Sequence, residues 1–311
     1  MRQHKKGGAL LTALFIMTLV AIVATAMSTR LQLDIYRTRL LVAHDKLYLA
    51  SQVIMFWSFN ELNNKNKKFT YADAQGRVSR YPKNLEHIYK DVQLSGGLYD
   101  LQSKLNLNNL TEKKGLVLFL NLLNHIYPKA NDKERVNLAL TVQDWLKAYD
   151  LSLGKDSYTS YYLAQTPPYY PSHQLMKSRS EFRLLKDVNA ELNQIIQPFI
   201  TVLPETTAIN INTARKQILM SLGDGLSQNQ VEELIKTRGA KGISDVKYLN
   251  PLLQKFNIPS DQITIESQYF LSKAYAKNED LNLVVYLLLK RGKNKKGKVT
   301  VSVLRESLNI F

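Results

Sequence analysis

The chain contains no cysteine, which excludes a disulfide framework, a thiolate metal site and a cysteine nucleophile. Acidic residues are scarce: 26 Asp and Glu face 42 Lys and Arg, a formal net charge of +16. Charge of that sign favours acidic partners, whether nucleic acid, anionic lipid head groups or an acidic protein surface. Glycine and proline are missing from Ala9 to Gln75, so nothing punctuates that stretch as a turn. The five histidines (His4, His44, His87, His125, His173) are scattered without HExxH-like spacing, and neither a Gly-x-Ser-x-Gly nor a Walker loop is present. The sequence therefore offers no catalytic residues, and an enzyme is not expected. Apolar residues make up 45 % of the 311 residues, enough for a packed core, and the length suits about two domains.

The N-terminus carries the strongest signal. Met1 to Lys6 is short and basic, Gly7-Gly8 follow, and Ala9 to Met27 runs without a charge (ALLTALFIMTLVAIVATAM). As a helix this run spans roughly 28 Å, close to a hydrocarbon core of about 30 Å. Three readings compete: a cleaved secretory signal, a plain membrane anchor and a prepilin-type leader. Ala24-Thr25-Ala26 fits the small-x-small pattern of the first, but the run exceeds the 7–15 residues of a usual signal h-region. Beyond Met27 the pattern stays helical: Leu31, Ile35, Leu40, Leu41, Leu47, Leu49, Val53, Ile54, Trp57 and Phe59 recur at near-helical spacing. One continuous helix ending near Asn63-Asn64 is the simplest expectation.

Further on, Ser95-Gly96-Gly97 reads as a turn and Leu98 to Leu101 as a short strand. A weak duplication follows. Leu105-Asn106-Leu107-Asn108 precedes a helix from Leu116 to Ile126, with another from Asp132 to Ala148. Ile209-Asn210-Ile211-Asn212-Thr213 precedes Lys216 to Leu222, a Gly223-Asp224-Gly225 turn, and Ser227 to Arg238 with Ser227 as N-cap. Both copies read Asn-x-Asn entering a helix-turn-helix, where the amide side chains can satisfy free N–H groups. Gln262 to Ala276, Leu281 to Leu289 and Lys298 to Leu304 predict a three-stranded antiparallel meander.

Basic residues, Gly8 and an uncharged helix starting Ala-Leu-Leu-Thr together resemble the type IV prepilin class. Several internal stretches resemble the K-type minor pseudopilins of type II secretion systems: Asp100 to Leu110, Asp144-Trp145, Pro167-Pro168-Tyr169, Ser180 to Leu184, and Leu203-Pro204 running into Ile209 to Ala214. The resemblance implies cleavage by a prepilin peptidase between Gly8 and Ala9 and N-methylation of Ala9. Most prepilins carry Glu at the fifth mature position; this chain has Ala13, and in the K type that Glu is usually absent. The implied fold is α+β: a long N-terminal transmembrane and amphipathic helix on a small antiparallel, pilin-like sheet, with a large all-α insert containing helix-hairpin-helix-like units. The corresponding organisation is a leader at 1–8, the helix at 9–63 (9–27 transmembrane), the pilin-like module at 64–100 and 260–311, and the insert at 101–259.

The resemblance also implies a function: a subunit at the tip of the periplasmic pseudopilus that initiates or caps fibre assembly for protein export. Its partners would be the I-type and J-type minor pseudopilins, the major pseudopilin, the prepilin peptidase and the inner membrane, with the N-terminus cytoplasmic and the bulk periplasmic. Family members can hold calcium in the loop after Asp-Trp; here Asp150 and Asp156, with help from Glu181, are the candidates, and no other cofactor is implied. The alternative is a membrane-anchored DNA-binding or uptake protein that uses its helix-hairpin-helix. Asp224 inside the supposed phosphate cradle, with Glu232 and Glu233 behind it, opposes that alternative, and no nucleic-acid-binding residue is assigned.

Overall fold

The computed structural model describes residues 8–148, 157–279 and 281–310. A single helix, α1 (Gly8–Asn63), runs unbroken to the polar segment that begins at Asn63-Asn64. Two strands follow, β1 (Arg77–Arg80) and β2 (Gln93–Asp100). The chain then enters a large insert. Its first half holds β3 (Leu105–Asn106), a 3-10 turn at Leu107–Thr111, α2 (Lys113–Ile126), α3 (Asp132–Leu146), α4 (Ser157–Leu163), α5 (Ala190–Ile196) and β4 (Ile200–Thr201). Its second half holds β5 (Ile209–Asn210), α6 (Lys216–Met220), α7 (Gln228–Arg238), α8 (Asn250–Lys255) and β6 (Ile263–Thr264). The strands β7 (Tyr269–Lys277), β8 (Asn282–Lys293) and β9 (Val299–Leu308) complete the fold.

The main sheet is antiparallel throughout, in the order β1-β2-β7-β8-β9. The C-terminal half of α1 lies on one face. Leu47, Ile54, Met55 and Leu62 pack there against Leu94, Leu98, Phe270, Val285, Leu287 and Leu289. Small residues let the helix approach the sheet: Ala274 and Ala276 lie beneath it, and the Ser58 and Ser272 hydroxyls pair at 2.7 Å within the interface. The last turn of α1 carries no basic residue of its own. Arg291 of β8 supplies one, donating from Nε to the Leu62 carbonyl (2.8 Å) and from Nη2 to the Asn64 carbonyl (2.9 Å). Orphan carbonyls and the negative end of the helix dipole are satisfied together.

Three expectations need correction. Ser95, Gly96 and Gly97 do not turn; they lie inside β2. A Cβ on Gly96 would sit 2.4 Å from the Lys273 carbonyl oxygen and 3.0 Å from Ile54 Cγ2, so glycine is there for the close approach of helix and strand and not for a turn. The alternating segment from Gln262 to Ala276 is two strands, because Ile263–Thr264 pairs inside the insert and only Tyr269 onward joins the main sheet. The insert itself is not all-α: β3 pairs with β4 and β5 with β6, each as a two-residue parallel ladder.

Those two ladders explain the Asn-x-Asn repeat. Asn106 and Asn210 each accept from the N–H two residues on, at 3.2 Å and 3.0 Å, as local caps. The second Asn of each pair does something that propensity does not reveal. Asn108 accepts from the Met176 N–H (2.9 Å) and donates to the Met176 carbonyl (3.0 Å) and the Leu203 carbonyl (2.7 Å). Asn212 repeats the pattern on Ile243 (2.8 and 2.9 Å) and the Ile265 carbonyl (3.0 Å). Each amide thus imitates a strand, pairing both backbone groups of one distant residue inside the core. The duplication is one of three-dimensional design and not only of letters.

Two outcomes follow. Gly96→Ala should cost about 1–3 kcal/mol by overpacking, read as a lower urea midpoint of the detergent-solubilised chain at unchanged slope. Asn108→Ala and Asn212→Ala should each cost about 2–4 kcal/mol, because three buried backbone groups lose their partner at once. Equal losses at the two sites, in the same assay, are the mark of equivalent clamps.

Candidate assembly interface

The N-terminal half of α1 touches nothing else in the protein. From Ala9 to Thr29 no residue is charged, and the side chains stand free, with Leu10, Phe15, Ile22 and Met27 between 67 and 76 % exposed. An apolar surface of that extent does not persist in water. The hydroxyls within it fit an apolar medium: Thr12, Thr18, Thr25 and Thr29 each donate to a carbonyl three or four residues back, at 2.8–3.1 Å. Gly8 is the first residue of α1, and a Cβ there would meet nothing within 4 Å. Ala13 leaves the span without a carboxylate.

Farther along, α1 presents two apolar faces. Leu47, Ile54, Ser58 and Leu62 face the sheet. On the free side Ile35, Val42, Leu49 and Phe56 recur every seventh residue and are 59–72 % exposed. A heptad-spaced stripe is the seam along which a second helix packs at a shallow crossing angle. Ile35 and Leu49 are among the periodic residues visible in the sequence, but periodicity alone merges the two faces. Val42 and Phe56 are missed altogether. The signal that could have separated them is the strict seven-residue interval.

The helix-hairpin-helix of α6 and α7 is present, with Gly223 of its turn buried and Asp224 and Gly225 exposed. Gly223 (φ +58°) and Gly225 (φ +98°) adopt the left-handed conformations the turn needs. The Gly223 N–H donates to Gln262 Oε1 at 2.9 Å, Asn121 of α2 donates to the Ser221 carbonyl (3.2 Å), and Asp224 accepts from Asn257 (2.8 Å). The surrounding charges are spent as well. Lys216 pairs with Glu232 at 3.2 Å, Lys255 with Glu233 at 2.8 Å, and Arg238 donates to the Ile211 and Ala214 carbonyls. Hydrogen bonds from Gln228 and Lys216 hold the Glu232 carboxyl below its usual range, and burial lowers the Arg238 guanidinium. With the Gly223 N–H occupied and Lys216, Lys255 and Arg238 already engaged, the turn has little left for a phosphate backbone.

The basic run Lys290 to Lys298 is likewise divided. Lys290 pairs with Glu205 at 2.7 Å, and Glu205 is held below its usual range by Lys290 first and Tyr269 second. Arg291 caps α1, and the remainder forms the β8–β9 hairpin tip.

Of the calcium candidates, Asp150 and Asp156 lie outside the described residues. Glu181 is a capping residue: Oε1 accepts from the Lys177 and Ser178 N–H groups (2.8 and 2.9 Å), and Oε2 accepts from Trp145 Nε1 (3.3 Å). Trp145 stands edge-on to the buried Tyr162 ring. Among the described residues no group of three or more His, Asp or Glu is assembled that could hold a metal ion. The described part of the loop does not make a cage.

Comparison with known proteins agrees with this geometry. Residues 103–205 and 209–266 match two models that both describe the type II secretion system (T2SS) protein K. The type II secretion system protein K of Aeromonas hydrophila is 28 % identical over 94 % of this chain and 95 % of its own length. That of Pseudomonas aeruginosa is 25 % identical over 97 % and 92 %. The fold is similar to a chain in the crystal structure of the GspK-GspI-GspJ complex from enterotoxigenic Escherichia coli, with a TM-score of 0.69, 21 % identity, and 88 % of this chain and 99 % of the other covered. With both halves of its insert matched by models of one family, and relatives aligned from end to end, the chain belongs to the type II secretion system protein K family.

Proposed function

We propose that this protein is a minor pseudopilin that is cut between Gly8 and Ala9 by a prepilin peptidase, N-methylated on Ala9, and held in the inner membrane by residues 9–27. Its sheet and insert then lie in the periplasm, with the basic leader on the cytoplasmic side. From there it joins the pseudopilus at its tip with I-type and J-type minor pseudopilins, above the major pseudopilin, and initiates or caps the fibre for protein export. The observation that carries this reading is the two-faced α1. One face is committed to the sheet, and the other offers a heptad stripe continuous with an apolar span. Such a helix is built to pack against like helices, first in lipid and then in a fibre.

Two further features support a position at the tip. A broad insert sits on the helix-and-sheet module, so subunits can add beneath it more readily than above. The span also lacks a carboxylate. In a helix bundle an intramembrane acid is costly unless it meets a cation, and a subunit with no neighbour beyond it has no amino terminus to neutralise. The GspK-GspI-GspJ composition of the complex that holds the structural relative supports the choice of partners. The hairpin turn, with the Gly223 N–H and Asp224 already bonded within the protein, offers no support for DNA binding.

Mass spectrometry of the mature protein from its host should find a chain beginning at N-methylated Ala9. A chain that retains Met1 or begins at Met27 would overturn the processing scheme. Leu49→Asp and Phe56→Asp lie on the exposed stripe and should leave the unfolding free energy in urea within about 0.5 kcal/mol of the parent's. Co-purification with the other minor pseudopilins should nevertheless fall about tenfold or more. Undiminished co-purification would remove the stripe from the assembly interface.

A further inference from the structure

The face of the sheet turned away from α1 meets the insert at a cavity of about 240 Å³. Four cations line it: Lys104, Arg179 and Arg215 from the insert and Lys273 from β7. Tyr99 of β2 and Tyr286 of β8 stand in its sheet-side wall, with Leu271 and Ile218 supplying apolar surface. The one carboxylate in the lining is Asp100, and its oxygens are already taken by Thr213, Ser267, Asn210 and the Gln102 N–H. Asp73, close to Tyr99, is spent on Arg77 at 2.7 Å. Arg179 reaches the Gln197 carbonyl at 3.4 Å, and Lys273 stands over the Tyr286 ring at 5.6 Å. Among the described residues, Lys104, Arg215 and Lys273 pair with no carboxylate.

Clustered like charges in a partly enclosed cavity are an electrostatic cost unless an anion answers them. The strain is visible at Lys104. Burial first, and then repulsion from Arg179 and Arg215, lower its ammonium to about 8. No feature of the assembly scheme above uses this cavity.

We propose that the cavity is an oxyanion-binding site, taking a carboxylate or a phosphate between the insert and the sheet. An oxyanion there would gather donors from both bodies through charge-assisted hydrogen bonds, and the apolar wall leaves room for an organic group behind the charge. Bound anion would stiffen the attachment of head to stalk. The site is independent of the fibre assignment: it rests on the lining alone.

The full chain in detergent should bind inorganic phosphate in isothermal titration at matched ionic strength. Lys104→Met and Arg215→Met should each weaken binding by about tenfold or more. The second readout separates a binding role from a structural one. In phosphate-free buffer Lys104→Met should leave the chain as stable or make it more stable, since it removes an uncompensated charge. The parent should gain stability as pH rises from about 8 toward 10.5, where the unfolded lysine stays protonated and the folded one does not. A tripeptide with a free C-terminal carboxylate, compared with its amide, identifies the source. Binding of the acid alone marks a polypeptide terminus, and phosphate without either peptide marks a free anion. Absence of phosphate binding in the parent, binding as tight as the parent's in both variants, or loss of stability in Lys104→Met would overturn the proposal.

Discussion

Head and stalk are joined through one buried carboxylate. Asp100 ends β2 opposite Phe270, where the chain leaves the main sheet and where it returns. Its side chain accepts from the Gln102 N–H (2.8 Å), Asn210 Nδ2 (2.9 Å), Ser267 Oγ (2.7 Å) and the Thr213 hydroxyl. Burial pushes the carboxyl above its usual range while those four donors pull the other way. All four donors point inward, so no other small side chain could answer them: an amide would turn its own N–H₂ on some of them. Because the donors come from the exit, the second half of the insert and the return segment, one group fixes the angle at which the insert leaves the sheet. Leu101, Leu203, Tyr269 and Leu288 close over this junction as a small apolar cluster of their own.

What the sequence made legible depended on whether local and tertiary preferences agree. The extent of α1 could be read to within a residue at Asn63 because no helix breaker interrupts it and the polar NNKNKK run ends it. The Ser227 cap holds for the same reason, with Gln230 completing a capping box. At Gly96 the two preferences diverge. Locally Ser-Gly-Gly says turn, but β2 must pass beneath Ile54 without a side chain of its own, and packing overrides propensity. β1 escaped notice because a four-residue edge strand of Arg-Val-Ser-Arg has too little apolar alternation to register.

The candidate site was legible in part for a different reason. An uncharged run declares itself, and the proposed cut between Gly8 and Ala9 is placed by position along it. The stripe of Ile35, Val42, Leu49 and Phe56 does not declare itself, since a helix that is apolar on two sides gives no clear amphipathic direction. Only the sheet, by covering Leu47, Ile54 and Leu62, makes the other side a surface. The second Asn of each Asn-x-Asn was visible as a repeat yet not as a clamp, because Asn108 and Asn212 act on Met176 and Ile243, far along the chain. The cationic cavity is of the same kind: Lys104, Arg179, Arg215 and Lys273 share no sequence pattern and meet only once the insert docks.

These pieces constrain one another. Burying the four stripe residues against a neighbouring helix would recover about 1.5–3 kcal/mol for each fully covered side chain, which is ample to hold a subunit once many helices pack together. The same burial in an isolated chain is impossible, because α1 has no second helix of its own to cover that face. Stability of the head is therefore separable from assembly. The insert keeps its own core, from Leu105 through Ile263, and the sheet keeps another beneath α1, while the stripe and the apolar span contribute to neither. A fold arranged this way can be complete as a subunit in the membrane and still carry its full drive for association, which is the condition a fibre component must meet before the fibre exists.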